Sequence, residues 1–142
     1  MMILDTNIVS EMMKSASNRQ VRYWLNEQEP SELFITSVTV AEIIYGIRIL
    51  QDGKRKKHLE VTFSNIVRKA FEFRVLKFDE KAAYQYGDIM AHRRLQGRPL
   101  SVCDGQIASI AHVHSYAVVT RNTNDFSGCS LDLINPFEMA FS

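Results

Sequence analysis

The sequence predicts an α/β fold, a three-layer sandwich with a mostly parallel central sheet flanked by helices. Three observations predict it. Short apolar runs alternate with stretches of helical period, and at least one run, "YAVVT", is almost continuously apolar, as a strand buried on both faces must be. No repeat, low-complexity tract or Pro/Gly/Ser linker divides the 142 residues, and 46% hydrophobic content is enough for one core. The chain therefore reads as a single domain over residues 1–142.

The elements follow in order. Residues 1–4 form a short apolar strand that ends on an acid, Asp5. "TNIVSEMMK" has helical spacing with Asn7 as its cap, and Val21, Trp24 and Leu25 form the apolar side of a second helical piece. "LFITSV" reads as a strand and runs directly into "TVAEIIYGIRIL", where Thr39 and Glu42 have capping-box spacing. Residues 54–71 read as one long helix, with Leu59, Phe63, Ile66, Val67 and Ala70 recurring every three or four positions. "VLKF" is a strand leading to Asp79, the cap of a helix closed by Gly97 with Pro99 just beyond. Residues 101–114 form a further helix facing inward with Ile107, Ile110 and Ala111, and "YAVVT" and "LDLINP" supply the last strands.

Composition narrows the function classes. No stretch approaches the ~20 apolar residues of a membrane span, and Asp5 interrupts any signal-peptide core, so a cytoplasmic protein is expected. Cys103 and Cys129 lack zinc-ligand spacing and are too few for a disulfide framework. There is no P-loop or nucleophile triad. A receiver domain would need a Lys near the last strands, and a HAD-type phosphatase would need an Asp where Asn7 stands.

The acids carry the positive signal. In a parallel sheet ligands gather at the carboxyl ends of the strands. Asp5 follows the first strand, Glu42 and Asp104 lie in first turns of helices, and Asp125 follows "YAVVT", so all four can reach one edge. Carboxylates sharing a pocket repel one another unless cations neutralise them, and Mg²⁺ or Mn²⁺ are the natural partners of such oxygens. Such a site can polarise a phosphate and activate water. Each acid also has a local explanation as a cap or turn residue, but a buried strand ending on an ionised group is costly without a partner.

The ordered set "ILDTNIVSE", "TSVTVAEIIYGI", "CDGQIASIAHVHSYAVVTRNTNDF" and "INPF" resembles the PIN-domain ribonucleases, most closely the VapC and FitB toxins of bacterial toxin–antitoxin pairs. The resemblance covers nearly the whole chain. It implies a PIN-like sandwich and a Mg²⁺-dependent endoribonuclease, with Mn²⁺ as a possible substitute. Asp5, Glu42 and Asp104 fall on the family's metal-binding carboxylates, and Asp125 on the fourth acid of members reading T-R-N-x-x-D-F. Other members place that acid at the position of Asn122. Thr6, Asn7 and Thr120 fall on pocket-lining positions. The implied partners are an RNA substrate, such as tRNA, a cognate VapB/FitA-type antitoxin that places a basic side chain among the acids, and a second copy in a homodimer. The same fold could instead serve a metal-dependent DNA nuclease or a non-catalytic nucleic-acid or antitoxin-binding module.

Basic charge is local. Residues 48–74 hold eight of the 17 Lys and Arg against Asp52, Glu60 and Glu72, and "DGKRKKH", with Arg93, Arg94 and Arg98, could hold an RNA backbone or form a solvated face. Met12, Met13, Tyr23, Trp24, Tyr45 and Ile49 on the amino-terminal helices are either core or a partner surface.

Overall fold

A computed structural model describes residues 1–139. Its strands are β1 (Met2–Leu4), β2 (Leu33–Thr36), β3 (Val75–Leu76), β4 (Ala117–Val119) and β5 (Leu133–Ile134). They form a wholly parallel sheet in the order β3-β2-β1-β4-β5. The helices are α1 (Thr6–Met12), α2 (Arg19–Asn26), α3 (Ser37–Arg48), α4 (Lys54–Asn65), α5 (Glu80–Leu95), α6 (Val102–His114) and α7 (Thr123–Phe126). None of the described helices is long and apolar enough to cross a membrane.

Strand β1 lies at the centre of the sheet, and its alternation explains the two cores. Ile3 packs with Val38, Ile107, Ile110, Val118 and Phe126 on one face. Leu4 packs with Ile8, Val21, Ile35, Ile47, Phe63 and Val119 on the other. Both faces are covered, so the strands can be apolar throughout. From β1 the chain builds outward through β2 and β3 on one side, and β4 and β5 extend the sheet on the other. The carboxyl ends of β1 and β4 therefore flank a topological switch point, where connecting segments diverge and leave a crevice.

Caps differ from the sequence reading at two places that matter. Helix α1 begins directly after β1 and is capped by Asp5, whose side chain accepts from the Thr6 N–H, so Asn7 lies inside the helix. Helix α3 begins at Ser37 and is capped by Thr36, whose hydroxyl accepts from the Thr39 N–H at 3.2 Å. Thr39 is therefore a buried helical residue, and Glu42 is no capping-box partner. The reason is that β2 stops at Thr36 and its extended backbone can enter the helix there.

The Asp79 cap and the turn at Gly97, where φ is +73°, match expectation, and Ser101 caps α6 one residue before the helix begins. The long helix predicted over 54–71 does not run regularly. Helix α4 ends at Asn65 and widens into a π-turn over Ile66–Ala70, followed by Glu72 and Phe73 at positive φ. Arg74 closes this corner by donating to the carbonyls of Leu33, Pro30 and Ala70. Trp24 is core, whereas Tyr45 and Ile49 are exposed.

Thr36→Ala removes the α3 cap from a buried site and is expected to cost about 1–2 kcal/mol in urea unfolding. Wild-type stability in that variant would contradict the cap assignment.

Candidate active site

Asp5 leaves a strand whose preceding residues, Ile3 and Leu4, are fully buried, and it is itself only 4% exposed. Its N–H donates to the Val119 carbonyl at 2.9 Å, which locks the end of β1 against β4. Three groups then hold its carboxylate. Oδ1 accepts from the Thr6 N–H at 2.8 Å. Oδ2 accepts from the Thr120 hydroxyl at 2.8 Å and from the Asn7 amide at 3.1 Å. Thr120 accepts in turn from the Asn122 N–H, and the Asn7 Oδ1 accepts from the Arg121 N–H. The loop after β4 is thus tied to the first turn of α1.

Glu42 arrives from α3 through a different link. The Thr6 hydroxyl donates to Glu42 Oε1 at 2.7 Å and lies 2.9 Å from the Thr39 hydroxyl, which leaves Thr39 as the donor in that second contact. Asp104 stands in the first turn of α6, where Ser101 caps its N–H. Asp5, Glu42 and Asp104 line one open cleft of about 410 Å³ together with Thr6, Asn7 and Asn122. Asp125 is not among the groups lining that cleft. It is exposed on α7 and shares a neighbouring groove with Asp104, so Asp104 borders both.

The electrostatics follow from this crowding. Burial pushes the Asp5 carboxyl from 3.8 up to about 6, against the pull of Thr120 and the Thr6 N–H, and Asp104 and Glu42 add to the rise. Asp104 also lies above its ordinary range, mainly by burial, with Asp125 and Glu42 contributing and Ser101 opposing. Burial and the same two acids, Glu42 and Asp104, raise the Cys103 thiol, which keeps it protonated and removes it as a nucleophile.

Hard oxygen donors of this kind suit Mg²⁺ or Mn²⁺. Among the described residues no three Asp, Glu, His or Cys side chains are spaced to hold a metal ion by themselves. That arrangement fits Mg²⁺, which usually takes one or two carboxylates and completes its shell with water and phosphate. The residues present fit the ion in that sense, with one or two of the cleft carboxylates Asp5, Glu42 and Asp104 as candidate holders and water and phosphate completing the shell.

Several cleft residues escaped the sequence reading. Glu11 and Lys14 line it as an ion pair at 2.8 Å, and Lys14 holds the Glu11 carboxyl below its usual range. Glu11 lies four positions after Asn7, so helical spacing could have placed it on the same face. Arg121 also lines the cleft, its guanidinium 4.5 Å from the Phe137 ring centroid. Asn135 fixes that pair by donating to the Arg121 carbonyl and accepting from the Phe137 N–H, which gives "INPF" a structural task. Conversely, Arg93 is buried and bonded to protein groups, so it is no RNA clamp. Lys56 is likewise engaged with Asp52 and the Arg48 carbonyl.

A family model described as PIN domain matches residues 2–128. The chain is 37% identical over 140 residues to a VapC ribonuclease, Y4jK, of Sinorhizobium fredii, covering 99% of this chain and 100% of that protein. It is 33% identical to the toxin FitB of Neisseria gonorrhoeae, covering 96% and 99%. The crystal structure of FitAcB from Neisseria gonorrhoeae superposes with a TM-score of 0.91 at 32% identity, covering 98% of this chain and all of the matched one.

The raised Asp5 carboxyl makes a signed prediction. Between about pH 4 and about pH 6 the folded state binds a proton that the unfolded chain has released, so this group lowers stability as pH rises. At neutral pH the penalty is about 3 kcal/mol. In thermal unfolding with EDTA, Asp5→Asn should gain on wild type across that window and hold a constant difference above it. A difference that does not change with pH would contradict the buried, strained carboxylate.

Proposed function

This chain belongs to the PIN-domain family, and from that premise we propose that it is a Mg²⁺-dependent endoribonuclease, the toxin of a VapBC-type toxin–antitoxin pair. One observation carries the reading: a buried carboxylate at the switch point of the sheet shares its cleft with two more acids and is raised toward neutrality, mainly by burial, with the two acids adding to the rise. The names of the relatives, a VapC ribonuclease and the toxin FitB, support the choice of RNA and of the toxin role.

When bound, the divalent ion supplies water activation and charge neutralisation at an RNA phosphodiester, with Mn²⁺ as a substitute for Mg²⁺. The chain's own residues set the stage for that chemistry. Asp5 is held by Thr6, Asn7 and Thr120 so that its carboxylate cannot swing away from the cleft. Thr6 holds Glu42 in a fixed orientation, and Asp104 presents its carboxylate from the start of α6. Asn122 contributes to the wall, and Asp125 lies beyond Asp104 rather than in the cleft. The acidic cleft repels the RNA backbone until a cation is bound, which makes metal and substrate entry interdependent.

A groove of about 710 Å³ between α1, α3 and α4 opens into the same cleft at Thr6, Ser10, Lys14 and Glu42. Met13, Ile43, Ile47, Leu50 and Leu59 supply its apolar lining. We assign it to a VapB/FitA-type antitoxin segment whose basic side chain reaches the acids. The toxin is expected to work as a homodimer in the cytoplasm, with RNA such as tRNA as substrate.

Purified chain, free of partner, incubated with total bacterial RNA should cleave it in Mg²⁺, leaving 5′-phosphate and 3′-hydroxyl ends, and should be silent in EDTA. Asp5→Asn should lose about 100-fold or more in rate, since removing a metal-holding carboxylate costs at least as much as removing a group that orients one. Cleavage that survives EDTA or the substitution would overturn the mechanism, and preferential cutting of a DNA control would overturn the choice of RNA.

A further inference from the structure

The last turn of α5 buries a guanidinium that the site does not account for. Arg93 is 3% exposed and, among the described residues, has no carboxylate within ion-pair distance. Its Nε donates to the Arg98 carbonyl at 2.8 Å. Its Nη1 donates to the carbonyls of Asp125 at 2.9 Å and Ser127 at 2.8 Å and lies 3.3 Å from Cys129 Sγ. A cation taken out of water normally keeps a counter-charge, because the desolvation cost is high. Here the compensation comes instead from carbonyl oxygens, two of them in the segment that carries Asp125.

The mounting of this side chain is rigid. Helix α5 ends in a Schellman turn, in which the Arg98 N–H donates to the Arg93 carbonyl at 2.9 Å and the Gly97 N–H to the Arg94 carbonyl at 3.0 Å. The same two residues are thus joined once through the backbone and once through the Arg93 side chain. Arg98 adds bonds from its Nη2 to the Asn124 carbonyl at 3.1 Å and the Ser127 hydroxyl at 2.7 Å. Arg93, Ser101, Asp104 and Asp125 line one groove. Neutral amides could satisfy the same carbonyls at less desolvation cost; a planar fork that never loses its charge is the better device for fixing their position.

We infer that Arg93 is the positioning residue for Asp125: it clamps the backbone on both sides of Phe126 and so holds the Asp125 carboxylate beside Asp104, from where it supports the metal centre. This rests on the nuclease reading above. Asp125 is exposed and lies on a helix of four residues, which by itself would leave the carboxylate's position loosely set. Arg93 acts through Asp125 and touches neither substrate nor ion.

A double-mutant cycle tests the inference on the full chain freed of partner. Mn²⁺ binding is read by electron paramagnetic resonance without RNA, and Mg²⁺-dependent RNA cleavage is followed in parallel. Arg93→Met and Asp125→Asn should each weaken Mn²⁺ binding by about 10–100-fold, the range for a partner that orients a metal-holding group. The double variant should bind no more weakly than Asp125→Asn alone. Arg93→Lys keeps the charge but loses the fork, and it should follow Arg93→Met; if the Met variant does not fold, the Lys variant carries the same cycle. Multiplying effects in the double variant, or unchanged Mn²⁺ affinity in Asp125→Asn, would overturn the inference while metal-dependent cleavage by wild type leaves the nuclease reading standing. A wild-type chain that neither binds Mn²⁺ nor cuts RNA would overturn both.

Discussion

The structure depends on one bond pattern, the capture of the Asp5 carboxylate where β1 and β4 part. A charged group in that position is expensive to bury, and the fold answers with a hydroxyl from Thr120, an amide from Asn7 and the Thr6 N–H. Each donor belongs to a segment that the sheet or α1 already holds in place. The Thr120 N–H bonds to the Ile134 carbonyl, so even the edge strand β5 serves to steady a group that touches Asp5. The donors reduce the cost of the charge without removing it, and the carboxyl stays near 6. That residual cost is what a cation bound beside Asp5 would relieve.

Around Asp5 the remaining acids form a gradient of constraint. Glu42 is half-buried and tied through one hydroxyl, Asp104 is set by its place on α6, and Asp125 is exposed on the short α7. The inner side of the site is fixed by the central strands, and the outer side is built from loop and helix-end residues braced by arginines. Rigid elements give precision where the charge is deepest, while the open rim leaves room for an extended polymer. Basic residues that looked like nucleic-acid contacts are partly spent on this bracing, as Arg93 and Arg98 show.

Much of the architecture was legible in the sequence because it rests on local signals. Alternating strand and helix patterns, the Asp79 cap and the glycine turn at Gly97 are each written within a few residues. The misreadings share a cause. Thr39 and Glu42 have the spacing of a capping box, yet the strand ends three residues earlier and Thr36 takes the cap. Asn7 looked like a cap for the same reason that Asp5 looked like a strand end; the helix starts without a loop. The regular period over residues 54–71 hid a π-turn, since periodicity cannot report one extra residue in a turn. Resemblance puts Thr6, Asn7, Thr120 and Asn122 at the pocket, and the bonds that tie them to Asp5 and to one another join residues up to 115 apart. Glu11, Lys14 and the Arg121–Phe137 stack were missed because each has an ordinary surface explanation until its neighbours are known.

That separation also sets a schedule for synthesis. The central strand β1 is made well before its neighbour β4, and the hydroxyl that captures Asp5 follows that residue 115 positions later. Non-local pairing of this kind forms late and slowly. Until Thr120 has been made, Asp5 lacks the hydroxyl that holds it and the cleft cannot be completed. The topology delays completion of the centre until β4 and Thr120 have been made, a timing inherent in placing β1 in the middle of the sheet.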